Sequence, residues 1–578
     1  VSAVLAAVCA FVAYFLGYRF YSRWLARRVF QLDSEFQTPA YRFEDGVDFV
    51  PTRPVVLFGH HYASIAGLAP MLGPAVAVFW GWLPALCWVV FGSLLIGCVH
   101  DFSALVLSVR HDGKSIGSLC EDILGSKAKA LFLALIFFGV SLAMGVFVYV
   151  LSLLFSWKED FNPLALHEST TSFPEVALPS VGLMVLAMGA GWLLYVKKYR
   201  LFPVASVGFL LLLGLIYMGF TWPTAGLDAD SWPVQHQWIW ILIAYAWAAS
   251  VLPVWLLLQA RDFLNSLLLV FGLGLMYCGF FMQNPSFDAP AINPHPRGAP
   301  PLLPFVFITI ACGAASGFHS LVASGTTAKQ LARETHARAI GYGGMIAESL
   351  LALLAVLACT TTLGGAQNWA KVYVHWTAVQ SLGAKLGIFI RGAASFVGEL
   401  GISIDLAVTL VAMVVVSFAL TTLDSATRLL RFNLEEVGAS LASQKGFSWC
   451  RWLCNRFVAT TFACLAIAFF AFYEIEGKPA GLALWQIFGG TNQLIAGLAL
   501  VTGAVYLKQK GRPVWPLAIP ALYMVFMTLT ALSMKTATFY NQNLWLLFGI
   551  SLTLIGIGVG VLGMALKAFF QPLSESSG

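Results

Sequence analysis

The sequence predicts an all-α, polytopic membrane protein, and three observations carry that prediction. Of 578 residues, 59% are hydrophobic and only 10% charged, too little polar surface to cover a water-soluble core of that size. Apolar stretches of about 20 residues, the length that crosses a bilayer core roughly 30 Å thick, recur from end to end. Runs such as Leu131 to Leu151 are continuously apolar, without the two-residue alternation of a barrel strand, so only a helix satisfies their backbone within lipid.

About 15 spans are expected, near residues 1–18, 55–80, 84–109, 131–156, 181–196, 201–220, 238–258, 264–281, 303–327, 340–363, 402–423, 458–473, 480–506, 514–533 and 544–567. The first reads as a retained helix, because Arg19, Arg23, Arg27 and Arg28 follow it with no small-residue cleavage site. Most Lys and Arg fall in the loops at 19–53, 110–129, 197–200, 328–339, 424–457 and 507–513, which the positive-inside bias assigns to the cytoplasm. The opposite loops at 157–180, 221–237 and 282–302 hold only Lys158 and Arg297. The segment 364–401, with Lys371, Lys385 and Arg391, departs from that alternation on the outer side. The net charge of +6 is dispersed among loops rather than gathered in a stripe, so no nucleic-acid partner is expected.

Seven of ten cysteines fall inside predicted spans, and Cys120, Cys450 and Cys454 in cytoplasmic loops, so no disulfide framework is expected. Cys450 and Cys454 lack a matching ligand pair, and no metal or cofactor is assigned.

Two otherwise apolar segments are interrupted by glycine, histidine and serine: Gly59-His60-His61-Tyr62-Ala63-Ser64-Ile65-Ala66-Gly67 and Gly317-Phe318-His319-Ser320-Leu321-Val322-Ala323-Ser324-Gly325. They agree at their first, third and last positions, and an odd number of spans separates them, so the second copy is inverted in the membrane. Paired interrupted helices of inverted repeats meet near the midplane, where helix ends and unwound carbonyls hold substrate and ions. A site between them is expected, with Gly59, His60, His61, Ser64, Gly67, Gly317, His319, Ser320, Gly325, Thr326 and Thr327 as its candidates. Simple close packing of small residues explains the glycines but not the histidines.

Several blocks carry a family resemblance. Phe58 to Gly67 (FGHHYASIAG) resembles the opening signature of the carbon starvation protein A family. It is followed in order by Arg110 to Gly117 (RHDGKSIG), Leu252 to Asn265 (LPVWLLLQARDFLN), Phe307 to Gln330 (FITIACGAASGFHSLVASGTTAKQ), Ile340 to Ser349 (IGYGGMIAES), Leu420 to Leu430 (LTTLDSATRLL) and Phe488 to Leu494 (FGGTNQL). Ala260 stands where the family usually has proline, and Thr491 where alanine is common. The resemblance covers roughly 50–510 within one transmembrane unit of 1–578, with repeats starting near 55 and 303. It implies a LeuT-like inverted-repeat core, related to the amino acid, polyamine and organocation transporters, and import of small peptides or pyruvate across the bacterial inner membrane during carbon starvation.

Charge inside the bilayer is costly, by at least about 2.5–3.5 kcal/mol per group, so each ionisable residue in a span needs a role. His61 and His319 suit a proton-coupled gate or a carboxylate ligand. Glu348 has no basic residue in reach on its own helix and is the first candidate to carry a coupled proton. Asp101 is a further candidate, or an ion-pair partner of Arg110. Asp424 reads as the helix-spaced partner of Arg428, Gln259, Arg261 and Asp262 as part of a short cytoplasmic turn, and Asn492 and Gln493 as packing amides.

The pattern predicts a secondary active transporter, by proton symport. Sodium coupling through carbonyls and Thr326 or Thr327 is an alternative, as is a nutrient-sensing receptor. With no GxxxxGK[ST] loop, no Gly-x-Ser-x-Gly elbow and no His-Glu-x-x-His motif in the sequence, neither nucleotide-driven transport nor an enzyme is expected.

Overall fold

The computed structural model describes residues 2–157, 172–294, 296–376, 382–443, 448–475 and 478–571; Lys158 lies outside them. The principal helices are α1 (Ala3–Val29), α2 (Pro54–Ile65), α3 (Ala69–Trp80), α4 (Trp82–Arg110), α5 (Ser126–Phe155), α6 (Pro174–Val196), α7 (Leu201–Thr221), α8 (Gln235–Val251), α9 (Leu258–Gln283), α10 (Leu302–Thr309), α11 (Gly317–Val322, continuing as a wider turn Ala323–Thr327), α12 (Glu334–Thr361), α13 (Leu382–Gly398), α14 (Ile404–Ala442), α15 (Arg456–Phe472), α16 (Ala480–Gln509), α17 (Trp515–Asn541) and α18 (Trp545–Phe570).

Among the described residues, eleven helices are long and apolar enough to cross a membrane, or twelve when α2 and α3 count as one bent span. That is fewer than the fifteen expected. The helices α8 and α15 have only 17 residues each, and the segment expected at 303–327 is divided between α10 and α11. Two loops also differ from expectation. The cytoplasmic segment at 424–442 is a helical extension of α14, and the outer segment 364–401 contains the amphipathic helix α13, whose apolar face packs on α9, α12 and α14.

The expected interruptions are real breaks in two helices. Between α2 and α3 the chain bends by 47°, with Ile65 ending α2 and Pro70 lying in the first turn of α3, where its missing N–H costs nothing. Gly67 lies in the bend, and a Cβ there would meet Thr422 Oγ1 at 2.8 Å. Between α10 and α11, residues 310–316 are non-helical, and Gly313 adopts φ +84°, a conformation that glycine takes without steric cost.

Each half of one broken helix packs against the opposite half of the other: α2 against α11, and α3 against α10. The two therefore run antiparallel, and Thr52 N donates to Gln330 O at 3.0 Å where their basic-loop ends meet. The sequence match at an offset of 258 residues does not follow this register. Gly59–His61 precede the first break, whereas Gly317–His319 follow the second. The similar motifs occupy neighbouring halves in space, on the side of the basic loops, but opposite halves in chain order, because antiparallel packing exchanges first and second halves.

The packing is tight where α9 meets α13: a Cβ on Gly279 would lie 1.7 Å from Phe396 O, whereas Gly274 on the same helix has open space. Gly279→Ala is expected to lower the thermal unfolding midpoint in detergent by several degrees. Gly274→Ala, measured alongside, is expected to leave it unchanged or raised, since alanine is the better helix former.

Candidate substrate and coupling site

A narrow cavity lies between the two breaks. Its wall takes Gly67 and Pro70 from the first, Cys312 and Phe318 from the second, Thr422 from α14 and Asn492 from α16, closed by apolar side chains of α5 and α16. None of its fifteen lining residues is charged. Asn492 organises the second break: its Oδ1 accepts from Phe318 N at 3.0 Å, and its Nδ2 donates to Ser316 Oγ at 3.0 Å. This amide, expected to be packing alone, supplies a tertiary cap to a helix end that has no local one.

Beside the cavity, three helices bring ionisable groups together in the interior. His319 Nδ1 donates to Asp101 Oδ2 at 3.0 Å, and His100 Nδ1 to Asp101 Oδ1 at 2.9 Å. On its other side, His319 Nε2 lies 3.0 Å from Glu348 Oε2. That contact is within ion-pair distance but off the axis of a hydrogen bond, so both atoms remain without a hydrogen-bond partner. Glu348 Oε1 accepts from Gly313 N at 3.2 Å, which ties the carboxyl to the break itself. All four side chains are buried.

Two expectations change here. Glu348 is not alone, because α11 supplies a histidine that no spacing along α12 reveals. Asp101 is held by His319 and His100, while Arg110, at the far end of the same helix, pairs with Glu334 at 2.5 Å. Cys312 also joins the group: its Sγ, a His319 nitrogen and a Glu348 oxygen lie within 4.8 Å of one another. No cysteine or carboxylate was in reach by sequence spacing, since these groups come from a break, α11 and α12. His319 places one nitrogen against each of two carboxyls, so the cluster reads as a charge-balancing triad.

The remaining candidates are distributed around the site. His61 and Thr327 are hydrogen-bonded through Nδ1 and Oγ1 at 2.9 Å, linking α2 to the end of the second broken helix. His60 turns the other way and donates to Asp262 Oδ2 at 2.6 Å. Ser64 bonds Ser425 at 2.9 Å, and its carbonyl accepts from Thr422 Oγ1 at 3.1 Å. Ser320 and Thr326 donate to carbonyls of their own helix. Gly59, Gly317 and Gly325 are close-packing positions against α9, α16 and Leu429 respectively. Of all the sequence candidates only Gly67 lines the cavity.

Arg261 and Asp262 are not turn residues but the buried first turns of α9. Arg261 forms ion pairs with Asp262 at 2.7 Å and with Asp424, and bonds Tyr245, which itself donates to Asp424 Oδ2 at 2.5 Å. Asp424 therefore does not pair with Arg428 along α14. Arg428 instead reaches the carbonyls of Ala249 and Leu252 and the carboxylate of Asp48, partners from outside its own helix.

A cavity between antiparallel broken helices, with a buried acid–histidine triad against one break, defines a multi-pass membrane transporter. The chain belongs to the carbon starvation protein CstA family, which it matches over residues 2–371 and 366–531. It is 33% identical over 590 residues to the "Peptide transporter CstA" of Mycobacterium tuberculosis, covering 92% of this chain and 75% of that protein. It is 32% identical to the Escherichia coli protein of the same name, covering 91% and 80%. It is also 31% identical to the Escherichia coli "Pyruvate/proton symporter BtsT", covering 93% and 82%. Among solved structures, it is similar to an Eremococcus coleocola manganese transporter (12% identity, TM-score 0.37, 91% of this chain and 98% of that one). It is also similar to MhsT bound to L-phenylalanine (13% identity, TM-score 0.41, 90% and 99%).

Gly67→Ala tests the cavity. The added Cβ meets the side chains of Thr422 and Phe147, at 2.8 and 2.9 Å, which can yield without unfolding the bundle but leave less room. Substrate affinity of the purified protein is expected to fall by roughly 10-fold or more, with its elution as a monodisperse species unchanged.

Proposed function

We propose that this protein imports a small monocarboxylate of the pyruvate type together with a proton, across the bacterial inner membrane. The observation that carries the reading is the His319–Glu348 contact: a buried base and a buried acid, adjacent to both the cavity and a break, with facing atoms that have no other partner. A proton taken up by this pair, with Asp101 on the far nitrogen, offsets the charge of an anion entering beside it. Neutralising both together lowers the cost of carrying them through a low-dielectric path. The proton and the substrate thus favour each other's binding, which is the thermodynamic content of symport.

The cavity wall favours a monocarboxylate over a peptide. Asn492 and Thr422 are bonded to Ser316 and to the Ser64 carbonyl in this structure, so a carboxylate would take their donors by exchange with those partners, and Met144, Phe147, Phe318 and Phe488 surround a short apolar tail. A peptide's ammonium would meet no acidic side chain in that wall, and the nearby carboxyls of Asp101 and Glu348 already face His319. The relatives' names support both substrates, so the preference rests on the wall.

Uptake into liposomes containing the purified protein separates the alternatives. Labelled pyruvate is expected to accumulate under an inward proton gradient, a labelled dipeptide to accumulate far less, and a sodium gradient to drive neither. In Glu348→Gln, proton-driven accumulation is expected to disappear while exchange of pyruvate across the membrane persists, because the substitution keeps the shape and removes the titrating group. Preferential dipeptide uptake would overturn the substrate assignment. Sodium-driven accumulation would overturn proton coupling, and tight binding without any movement would favour a receptor.

A further inference from the structure

Away from the cavity, the most heavily bonded charged element is a loop. Residues 43–53 lead from the short helix Pro39–Arg42 into α2 and are bonded to the segment before α9, to the chain leaving α11 and to Arg428 and Arg431 within α14, on the side of the basic loops. Asp45 Oδ1 accepts the N–H groups of Val47, Asp48 and Phe49 at 2.8, 2.9 and 2.9 Å, which folds the loop tightly and turns Asp48 inward. Asp48 Oδ1 accepts from Arg428 Nη1 at 2.7 Å, and both its oxygens lie 3.3 Å from Arg431 Nη2. The two arginines are buried on α14. The loop is further held by Val254 N donating to Val47 O at 3.0 Å and Trp255 Nε1 to Gly46 O at 3.1 Å. At its far end, Gln259 Nε2 on α9 bridges Thr52 Oγ1 and Gln330 Oε1, at 2.9 and 2.6 Å.

We infer that this loop is the cytoplasmic gate of the transporter and that Asp48 is its latch. The inference rests on the transport reading, because a carrier must open its cavity on this side to release what it has bound. The loop leads directly into α2 and is bonded to the residue chain leaving α11, so it ties together the cytoplasmic halves of both broken helices. Separating α2 from α14 breaks the Asp48 contacts with Arg428 and Arg431 first, since only five residues lie between Asp48 and the start of α2 at Pro54.

The other charges near Asp48 are Lys329, Glu435 and Glu436, with Glu435 3.8 Å from Arg431 Nε. Burial pushes the Asp48 carboxyl up, but Arg428 and Arg431 outweigh it and hold the group below the ordinary carboxylate value. A depressed acid loses its contribution only as pH falls through that lowered value. The latch therefore stays charged at neutral pH and is opened by rearrangement of the bundle, not by the coupled proton.

Two measurements test the gate, neither depending on which substrate is carried. Cys312 lines the cavity and is buried in this closed form, so its labelling by a membrane-impermeant thiol reagent applied from the cytoplasmic face, read by mass spectrometry of its peptide, reports opening. Asp48→Asn is expected to speed that labelling by about tenfold, the factor set by losing one charge-assisted hydrogen bond. In Thr52→Cys/Gln330→Cys, oxidative cross-linking is expected to stop both Cys312 labelling and transport, and reductant to restore them in the same sample, which removes folding from the comparison. Unchanged labelling in Asp48→Asn, or continued labelling of the cross-linked protein, would overturn the gate. A protein whose labelling responds as stated but that moves no carboxylate would overturn the transport reading instead.

Discussion

The structure depends on the absence of water from the bilayer core, which obliges every backbone group and every charge placed there to find a partner inside the protein. Continuous helices meet the backbone requirement by themselves. A broken helix does not, and the two breaks here are viable because other elements complete them: Asn492 accepts Phe318 N and Glu348 accepts Gly313 N at the second break, while Thr422 donates to the Ser64 carbonyl beside the first. Two of these groups, Asn492 and Thr422, also line the cavity.

The same constraint explains how charge is arranged in layers. At the level of the breaks, His319 stands between Asp101 and Glu348. Below it, Arg261 is held by Asp262 and Asp424, with His60 on the other oxygen of Asp262. At the cytoplasmic ends, Arg428 and Arg431 enclose Asp48, and Arg110 meets Glu334. Each layer joins elements distant in sequence, so the buried charges meet their partners across helix interfaces. Paired burial of this kind adds little net stability but makes intermediate arrangements costly, which favours discrete closed and open states over a continuum.

Much of the fold was legible because hydropathy and helix length are local properties. The apolar segments could be placed within several residues, and the glycine- and histidine-bearing stretches Gly59–Gly67 and Gly317–Gly325 pointed to the two helices that are broken. Beyond the eleven or twelve described helices with the length and composition of a span, the other expected ones fall on α8 and α15, of 17 residues each, and on the divided pair α10 and α11, while α13 is amphipathic enough to pass for a loop. The repeat was visible as two motifs, yet their offset misled, since antiparallel packing places the histidine-bearing segments on opposite sides of their breaks in chain order.

What the sequence determined by itself was the helical membrane architecture, the two interruptions and the family, because each rests on composition or on contiguous residues. It also singled out His319, Glu348 and Asp101 as ionisable groups that lipid would not tolerate without a role. Their meeting, and the replacement of Asp424–Arg428 by Asp424–Arg261 and Asp48–Arg428, was decided only by tertiary structure. Pairing energies depend on distances of a few ångströms between side chains hundreds of positions apart, and nothing in the order of residues along the chain encodes those distances until the helices pack.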